Sequence, residues 1–588
     1  MIKKHQLTSI FLFILFIVSI GGCSRKFSKV QSLQNEAKKP GILPREACGV
    51  WCWYSTGGAP SKWDGKITAE ETYPDMKGIP IVVGWNELEP EDGVYNWDLV
   101  DDIIKQAATH DKYVFTLLWL NPVNAEWLYD KGVPKVEINT FKSDLHFATL
   151  PYPMDEKYKY YSERIITKFA EHLRNLPPQL LSRVAFHQVV EGSTGDGFCY
   201  KGEPKNPKYD VSQDEWAEYQ KYIRKFTINA FTGKESGKPE IPLLIHLMTN
   251  GDMTWGAEQY EGFLTKKGVA SHFYHSNDTK SKSKVYEPYN TDDNELGRPI
   301  YSRGEGETMW GKEWFKKDSL QNLYWSAFHA LHWGLDIWNI PSHVLEQPKW
   351  YPALDVFNKY AGYKFPAKSP YAFAALKDEL NANDTIRFPE NVYGKATKKN
   401  TDRVLKICDD FADHGAVVED LDLSLVGSLK SRRREGYNDV AWDRIDTDYR
   451  LYLYSIDQAK TSIGWWNVGP KDQPYGRFAR GFKHVSGKDA LYFKFHDKFF
   501  EGKPGKLKVR IIWLDNNDGK WAFAYDTGEA DLKIGKIFKG KNTGRWVEEE
   551  ILIENAVMKN NGPRGSDIAL INMDAKDDIF HLVEITRE

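Results

Sequence analysis

The chain has little cysteine, no excess of charge and few long apolar runs, and each lack removes a class. Only 5 of its 588 residues are cysteine. Cys48, Cys52, Cys199 and Cys408 fall in no metal-ligand spacing. Cys48 and Cys52 flank Trp51 on an extended segment where a disulfide would be awkward, so free buried thiols are expected. His246, His272 and His275 form no ligand pattern either, and neither metal nor cofactor is expected. The 79 basic side chains are balanced by 82 acidic ones, with no basic stripe or heptad, which argues against a nucleic-acid partner. No glycine fingerprint follows the first strand, which sets aside a dinucleotide-binding open sheet. The apolar run Ile10–Ile20 is too short for a comfortable membrane span.

Aromatics are what the chain has in quantity. They make up 14% of it, with 21 Trp and 31 Tyr, and flat apolar rings with a polar edge suit sugars. Large barrels and sandwiches also use such residues as core. The length leads us to expect two or three domains.

Lys3, Lys4 and His5, the apolar run and then Gly21 and Gly22 have the order of a secretory signal. With the signal placed at 1–22, the segment 23–46 is polar and aperiodic, as a flexible tether is. From residue 47 apolar strands and amphipathic helices alternate. Strands are expected at 49–54, 78–85, 113–120, 183–190, 241–248, 268–274, 299–305 and 334–340. Helices fall between them, one led by Asn96 with Val100, Ile103, Ile104 and Ala107 on one face, others over 160–174 and 215–231. Eight strands in about 300 residues match a (β/α)8 TIM barrel. The polar stretch 275–298 reads equally as a lid or a solvated excursion. The barrel is placed at 47–374, a connector at 375–444 and an all-β, jelly-roll-like sandwich at 445–588, where Leu507, Val509, Ile511 and Trp513 alternate. The sandwich is expected to brace the barrel or to bind glycan; Arg432, Arg433 and Arg434 lie on an exposed loop before it.

Two strand ends carry the chemistry. The fourth strand runs into Glu191 and a glycine-rich turn containing Asp196; the seventh ends in Glu305 and Glu307. Paired carboxylates across a barrel mouth are what glycosidic cleavage needs, one protonating the leaving oxygen and one attacking the anomeric carbon. Counting in twos puts His187, Arg303 and Tyr301 beneath the pair if both point inward. An arginine there would keep a nucleophile ionised. Glu307 is the rival nucleophile and Asp196 the rival acid, while Glu87 and Glu89 are expected to shape the turn after the second strand.

The motif WNELEPEDGVYNW, Trp85–Trp97, resembles the signature of clan A glycoside hydrolases, the retaining (β/α)8 group that includes β-galactosidases and β-agarases. That resemblance implies Glu191 as acid/base and Glu305 as nucleophile, with Tyr274 touching the nucleophile and Trp338 flooring the sugar. The clan's Asn before the acid/base is replaced by Val190, which leaves the sugar 2-hydroxyl to Gln188 or Asn121. Trp85, Asn86, Trp119, Arg303 and Glu307 complete the expected sugar contacts. The tetrad Ile20-Gly21-Gly22-Cys23 resembles a bacterial lipobox, which implies cleavage after residue 22, acylation of Cys23 and a membrane-anchored place in the cell envelope. The expected activity is retaining hydrolysis of β-linked galactose- or glucose-type saccharides, algal galactans among them; a surface glycan-binding lipoprotein without catalysis is the alternative.

Overall fold

The computed structural model describes residues 43–53, 66–121, 123–140, 148–193, 197–233, 238–246, 255, 264–267, 300–306, 319–378, 380–411, 440–442, 448–500 and 505–588. Eight parallel strands close into a barrel: β1 (Gly49–Trp53), β2 (Gly78–Gly84), β3 (Tyr113–Trp119), β4 (Val184–Gln188), β5 (Leu243–Ile245), β6 (Leu264–Lys267), β7 (Tyr301–Glu305) and β8 (Ile337–Pro341). Each pairs with its sequence neighbours, and β8 returns to β1. The sixth strand is a correction: the sequence reading put it at 268–274, which lies outside the described residues, whereas Leu264 pairs with Leu244 of β5 and Tyr301 of β7. Leu264–Lys267 carries two lysines and hides its strand character; ladders on both sides supply what its composition does not.

Helices α1 (Asp98–Thr109), α2 (Glu156–Arg174), α3 (Gln213–Thr232), α4 (Ser319–His332) and α5 (Tyr351–Tyr360) cover the outside. The apolar face of α1 is the one read from its spacing. It begins one residue later than an Asn96 cap would set, because Trp97 takes the cap position and stacks on His172 of α2 at 4.2 Å. Ser212 and Glu215 form a capping box at the start of α3.

Strand parity decides what faces the axis. Trp51 lies inside against Phe115 at 5.6 Å and Phe186 at 6.2 Å, and Gly78 is small because a Cβ there would come within 2.8 Å of the Trp51 ring. Phe115 pairs with Phe186 and Leu117 with Gln188, so Thr116 and His187 face outward. His187 is therefore not beneath the acids, as counting from Glu191 had suggested. It bonds Thr116 Oγ1 at 2.9 Å and stacks on Phe231 of α3 at 4.2 Å, and burial pushes its imidazole down to about 3, so it is neutral.

The C-terminal part is a sandwich of a seven-stranded and a five-stranded sheet. Strand Tyr371–Ala375 pairs antiparallel with Ile579–Arg587 and Tyr449–Leu451, so the sandwich takes up chain that the reading had left at the end of the barrel. Helix α4 is buried on all sides from Gln321 to His332, wedged between barrel and sandwich. Tyr324 bonds His581 at 2.9 Å, Arg477 donates to Asn322 Oδ1 at 2.5 Å, and the Trp325 ring meets Phe478 edge-on at 4.9 Å. Glu584 accepts from Lys359 and Tyr360 of α5 and from Arg510 of its own sheet. The sandwich thus braces the quadrant of the barrel that carries β7 and β8. No helix among the described residues is long and apolar enough to cross a membrane.

Asp578 is wholly buried in the sandwich. Burial, with Asp574, Asp577 and Asp515 nearby, pushes its carboxyl up to about 7, and Asn517 only partly offsets this. A folded-state value above the unfolded one means stability that is fully present below the unfolded value and lost as pH climbs toward about 7. Asp567, raised to about 6 chiefly by burial, pulls the same way. The melting temperature is expected to fall between pH 4 and 7.5 by calorimetry, and Asp578→Asn to flatten most of that fall; an unchanged slope in the variant would refute the assignment.

Candidate active site

Glu305 ends β7 at the C-terminal mouth, with 18% of its side-chain surface exposed. Two residues below, on the same face, Arg303 is wholly buried. Its Nη1 donates to Glu305 Oε1 at 3.0 Å and to Gln188 Oε1 of β4 at 3.1 Å, and its Nε donates to Asn339 Oδ1 of β8 at 2.6 Å. The guanidinium carbon lies 4.8 Å from the Phe115 ring centre and 5.1 Å from that of Trp53. One cation therefore ties β7 to β4 and β8, lies over rings from β1 and β3, and balances the Glu305 carboxylate. Arg303 Nη2 and Asn339 Nδ2 are buried without a hydrogen-bond partner among the described residues.

The structure brings together Glu305, Arg303 and Gln188, and strand parity puts Trp119, partly exposed at the end of β3, on the same inward face. Asn86 stands exposed at the rim after β2. Tyr301, lower on β7, lies under the Lys364 ammonium at 5.8 Å.

Other expected residues are placed elsewhere. Glu191 lies three residues beyond β4, at the same end of the barrel as Glu305, but it is 3% exposed and bound to Arg224 of α3, Nε at 2.6 Å and Nη2 at 2.5 Å. Arg224 Nη2 also donates to the His246 carbonyl at 3.0 Å. The expectation of Glu191 standing open over the mouth is corrected to a buried carboxylate held by Arg224 of α3. Trp338 is no sugar floor: it is wholly buried against Phe357 of α5 at 5.2 Å, and the inward residue is its neighbour Asn339. Trp85 is wholly buried, its Nε1 donating to Glu89 at 2.8 Å and its ring set edge-on to Trp127. Asn121 is buried and accepts the Tyr158 hydroxyl. Tyr274, Glu307, Asp196 and Cys23 lie outside the described residues, as do Arg432, Arg433, Arg434 and the stretch 275–298.

The second-strand motif is a clamp. Glu89, wholly buried, accepts from Trp85, from the Gly93 amide at 2.8 Å and from Arg164, while its carbonyl takes Trp127 Nε1 at 3.0 Å. It shapes the rim, as expected. After Glu191 the chain folds back at once: Ser193 donates through N and Oγ to the Phe198 carbonyl at 2.8 and 3.1 Å. Gly192 has no side chain because a Cβ would lie 2.3 Å from that oxygen.

Sequence reasoning missed Trp53, Asn339 and Arg224. The alternation of Trp51 and Trp53 was a usable signal for the first; nothing in the sequence marks a partner from α3. It also missed a three-stranded rim sheet, Lys135–Thr140 with Thr149–Pro151 and Gly202–Pro204, which joins the loops after β3 and β4 over Val136, Ile138 and Leu150. A cavity of 10 Å³, about one water in size, lies behind β4 among Leu118, Phe169, His187 and Phe231, away from Glu305. Among the described residues no three His, Cys, Asp or Glu side chains converge as metal ligands do.

Residues 60–187 match the family model described as Beta-galactosidase, which bears out the resemblance to clan A that the motif Trp85–Trp97 carries. The matched stretch holds β2, β3 and the Glu89 clamp and stops short of Glu191 and Glu305. Among solved structures the chain is similar to the β-galactosidase of the psychrophilic Marinomonas ef1, at 11% identity and TM-score 0.33 over 53% of this chain and 59% of that one. The cold-adapted β-galactosidase of Rahnella sp. R3 gives 11%, 0.33, 53% and 56%. Xylanase 10B from Thermotoga maritima gives 11%, 0.34, 55% and 98%. The chain thus spans under two thirds of the length of both β-galactosidases, and these distant likenesses carry no argument about activity. Among curated proteins none matches by sequence.

Removing one partner of a buried ion pair strands the other. Arg224→Leu is expected to cost about 3–5 kcal/mol in urea unfolding. Arg224→Leu combined with Glu191→Leu should recover most of it. A double variant no more stable than the single one would show that the pair does not carry the loss.

Proposed function

We propose that the barrel hydrolyses β-linked galactose- or glucose-type oligo- or polysaccharides with retention, Glu305 being the nucleophile. The observation that carries this reading is the Glu305 carboxylate, partly exposed at the C-terminal mouth and bonded from below by the buried Arg303 at 3.0 Å. A cation at that distance favours the ionised form that a nucleophile needs. Attack on the anomeric carbon forms a glycosyl ester on Glu305 as the leaving oxygen takes a proton; water then attacks, the ester breaks and the same acid/base recovers its proton. Glu191 fills the acid/base role once its pair with Arg224 opens on substrate binding, since free-enzyme geometry alone does not exclude a candidate. Asp196, five residues on, is its rival. Algal galactans are the first substrate class to try. The tetrad ending in Cys23 supports export and acylation, which would anchor the enzyme by lipid in the bacterial cell envelope.

Hydrolysis of 4-nitrophenyl β-D-galactopyranoside and of defined galactans tests the reading. Glu305→Gln is expected to lose at least about 10³-fold in kcat. Glu191→Gln should lose turnover of unactivated galactosides yet keep that of aryl galactosides with acidic leaving groups, which depart without protonation. Wild-type protein that binds these glycans without cleaving any would establish a binding protein instead.

A further inference from the structure

A sugar over Glu305 needs an apolar surface to lie on, and the tryptophan that the clan resemblance offers for this, Trp338, faces the other way. It is wholly buried between β8 and Phe357 of α5, so no ligand reaches its ring. We propose that Trp53, at the end of β1, is the platform on which the sugar at Glu305 rests, with Trp119 of β3 as the second wall. The proposal rests on the glycosidase reading of the mouth and adds a residue to it.

Parity and contact carry the assignment. Trp53 shares the inward face of Trp51 and pairs in register with Pro341, two residues beyond Asn339 and level with the mouth. Trp51 below it is wholly buried, whereas Trp53 is partly exposed. The guanidinium that bonds Glu305 at 3.0 Å lies 5.1 Å from the Trp53 ring centre, so ring and nucleophile touch the same planar group. The indole lies over the Arg303 guanidinium, and the side chain keeps a partly exposed surface at the mouth end of β1. Apolar C–H faces of a pyranose stack on such a surface while the hydroxyl edge stays free for hydrogen bonds. Trp119 ends β3 on the inward face of Phe115 and Leu117, is partly exposed, and its Nε1 has no hydrogen-bond partner among the described residues. Because β1 is the barrel neighbour of β8, moving the platform from one to the other shifts it by a single strand, about 4.8 Å. The sugar is turned about the barrel axis by that step.

Calorimetric titration of β-galactotetraose into the Glu305→Gln protein tests the platform without needing turnover. Added to that background, Trp53→Leu, which still covers Arg303 but has no ring, is expected to weaken affinity by at least about 10-fold. Trp53→Phe should restore it to within about 3-fold of the parent, and Trp338→Phe should leave affinity unchanged while lowering the melting temperature. A Trp53→Leu protein that binds as tightly as its parent overturns the proposal, as does loss of affinity in Trp338→Phe alone or a parent that binds no galactotetraose. Wild-type protein that cleaves nothing, beside a parent whose binding needs Trp53, would sink the hydrolase reading and leave the platform standing.

Discussion

A single buried guanidinium holds the mouth of this barrel in shape. Arg303 could not sit at the axis unaccompanied, because an unpaired charge out of water costs several kcal/mol. It is kept there by three oxygen acceptors, Glu305 from its own strand, Gln188 from β4 and Asn339 from β8, and by two aromatic faces. Each requirement fixes something else. Gln188 must face inward, so His187 must face out; Asn339 must face inward, so Trp338 must face out. The orientation of the residues around Glu305 follows from satisfying one cation.

The second constraint is mechanical. Helix α4 follows the strand that carries Glu305 and is buried on every side, with Tyr324 bonded to His581 and Asn322 to Arg477. A helix that carries Leu, Tyr, Trp, Phe and Ala around its whole circumference cannot be left facing water. The sandwich supplies the missing wall, and Glu584 fastens α5 beside it through Lys359 and Tyr360. The two parts therefore meet over a core-like interface, and β7 and β8 are held from outside by the sandwich as they are held from inside by Arg303.

Much of the fold was legible because its signals are local. Runs such as Gly78–Gly84 and Tyr113–Trp119 announce covered strands, and the spacing of Val100, Ile103, Ile104 and Ala107 announces a helix face. The sixth strand failed because Leu264–Lys267 is polar for its place and is made a strand by its neighbours. At the site, Glu305 and Arg303 were legible since they share one strand with a period of two. Glu191 was only half legible: its place at the end of β4 could be read, whereas its partner Arg224 comes from a helix 33 residues on. Trp85 and Asn121 looked like sugar contacts because polar and aromatic residues at strand ends often are. Packing with Glu89 and Tyr158 took them instead.

By itself the sequence determined that the chain makes a barrel of alternating strands and helices with a β-sandwich after it, and that Glu305 stands at the end of a strand at the functional face. These follow from periodicity, which each segment carries alone. Only the tertiary structure decided which strand-end tryptophan stays partly exposed and which amides anchor Arg303. Those depend on which side of a strand meets the axis, and that is settled by pairing between strands far apart in the chain. A slip of one residue exchanges the two faces, and no local pattern in the short strands β4 and β8 is strong enough to exclude it.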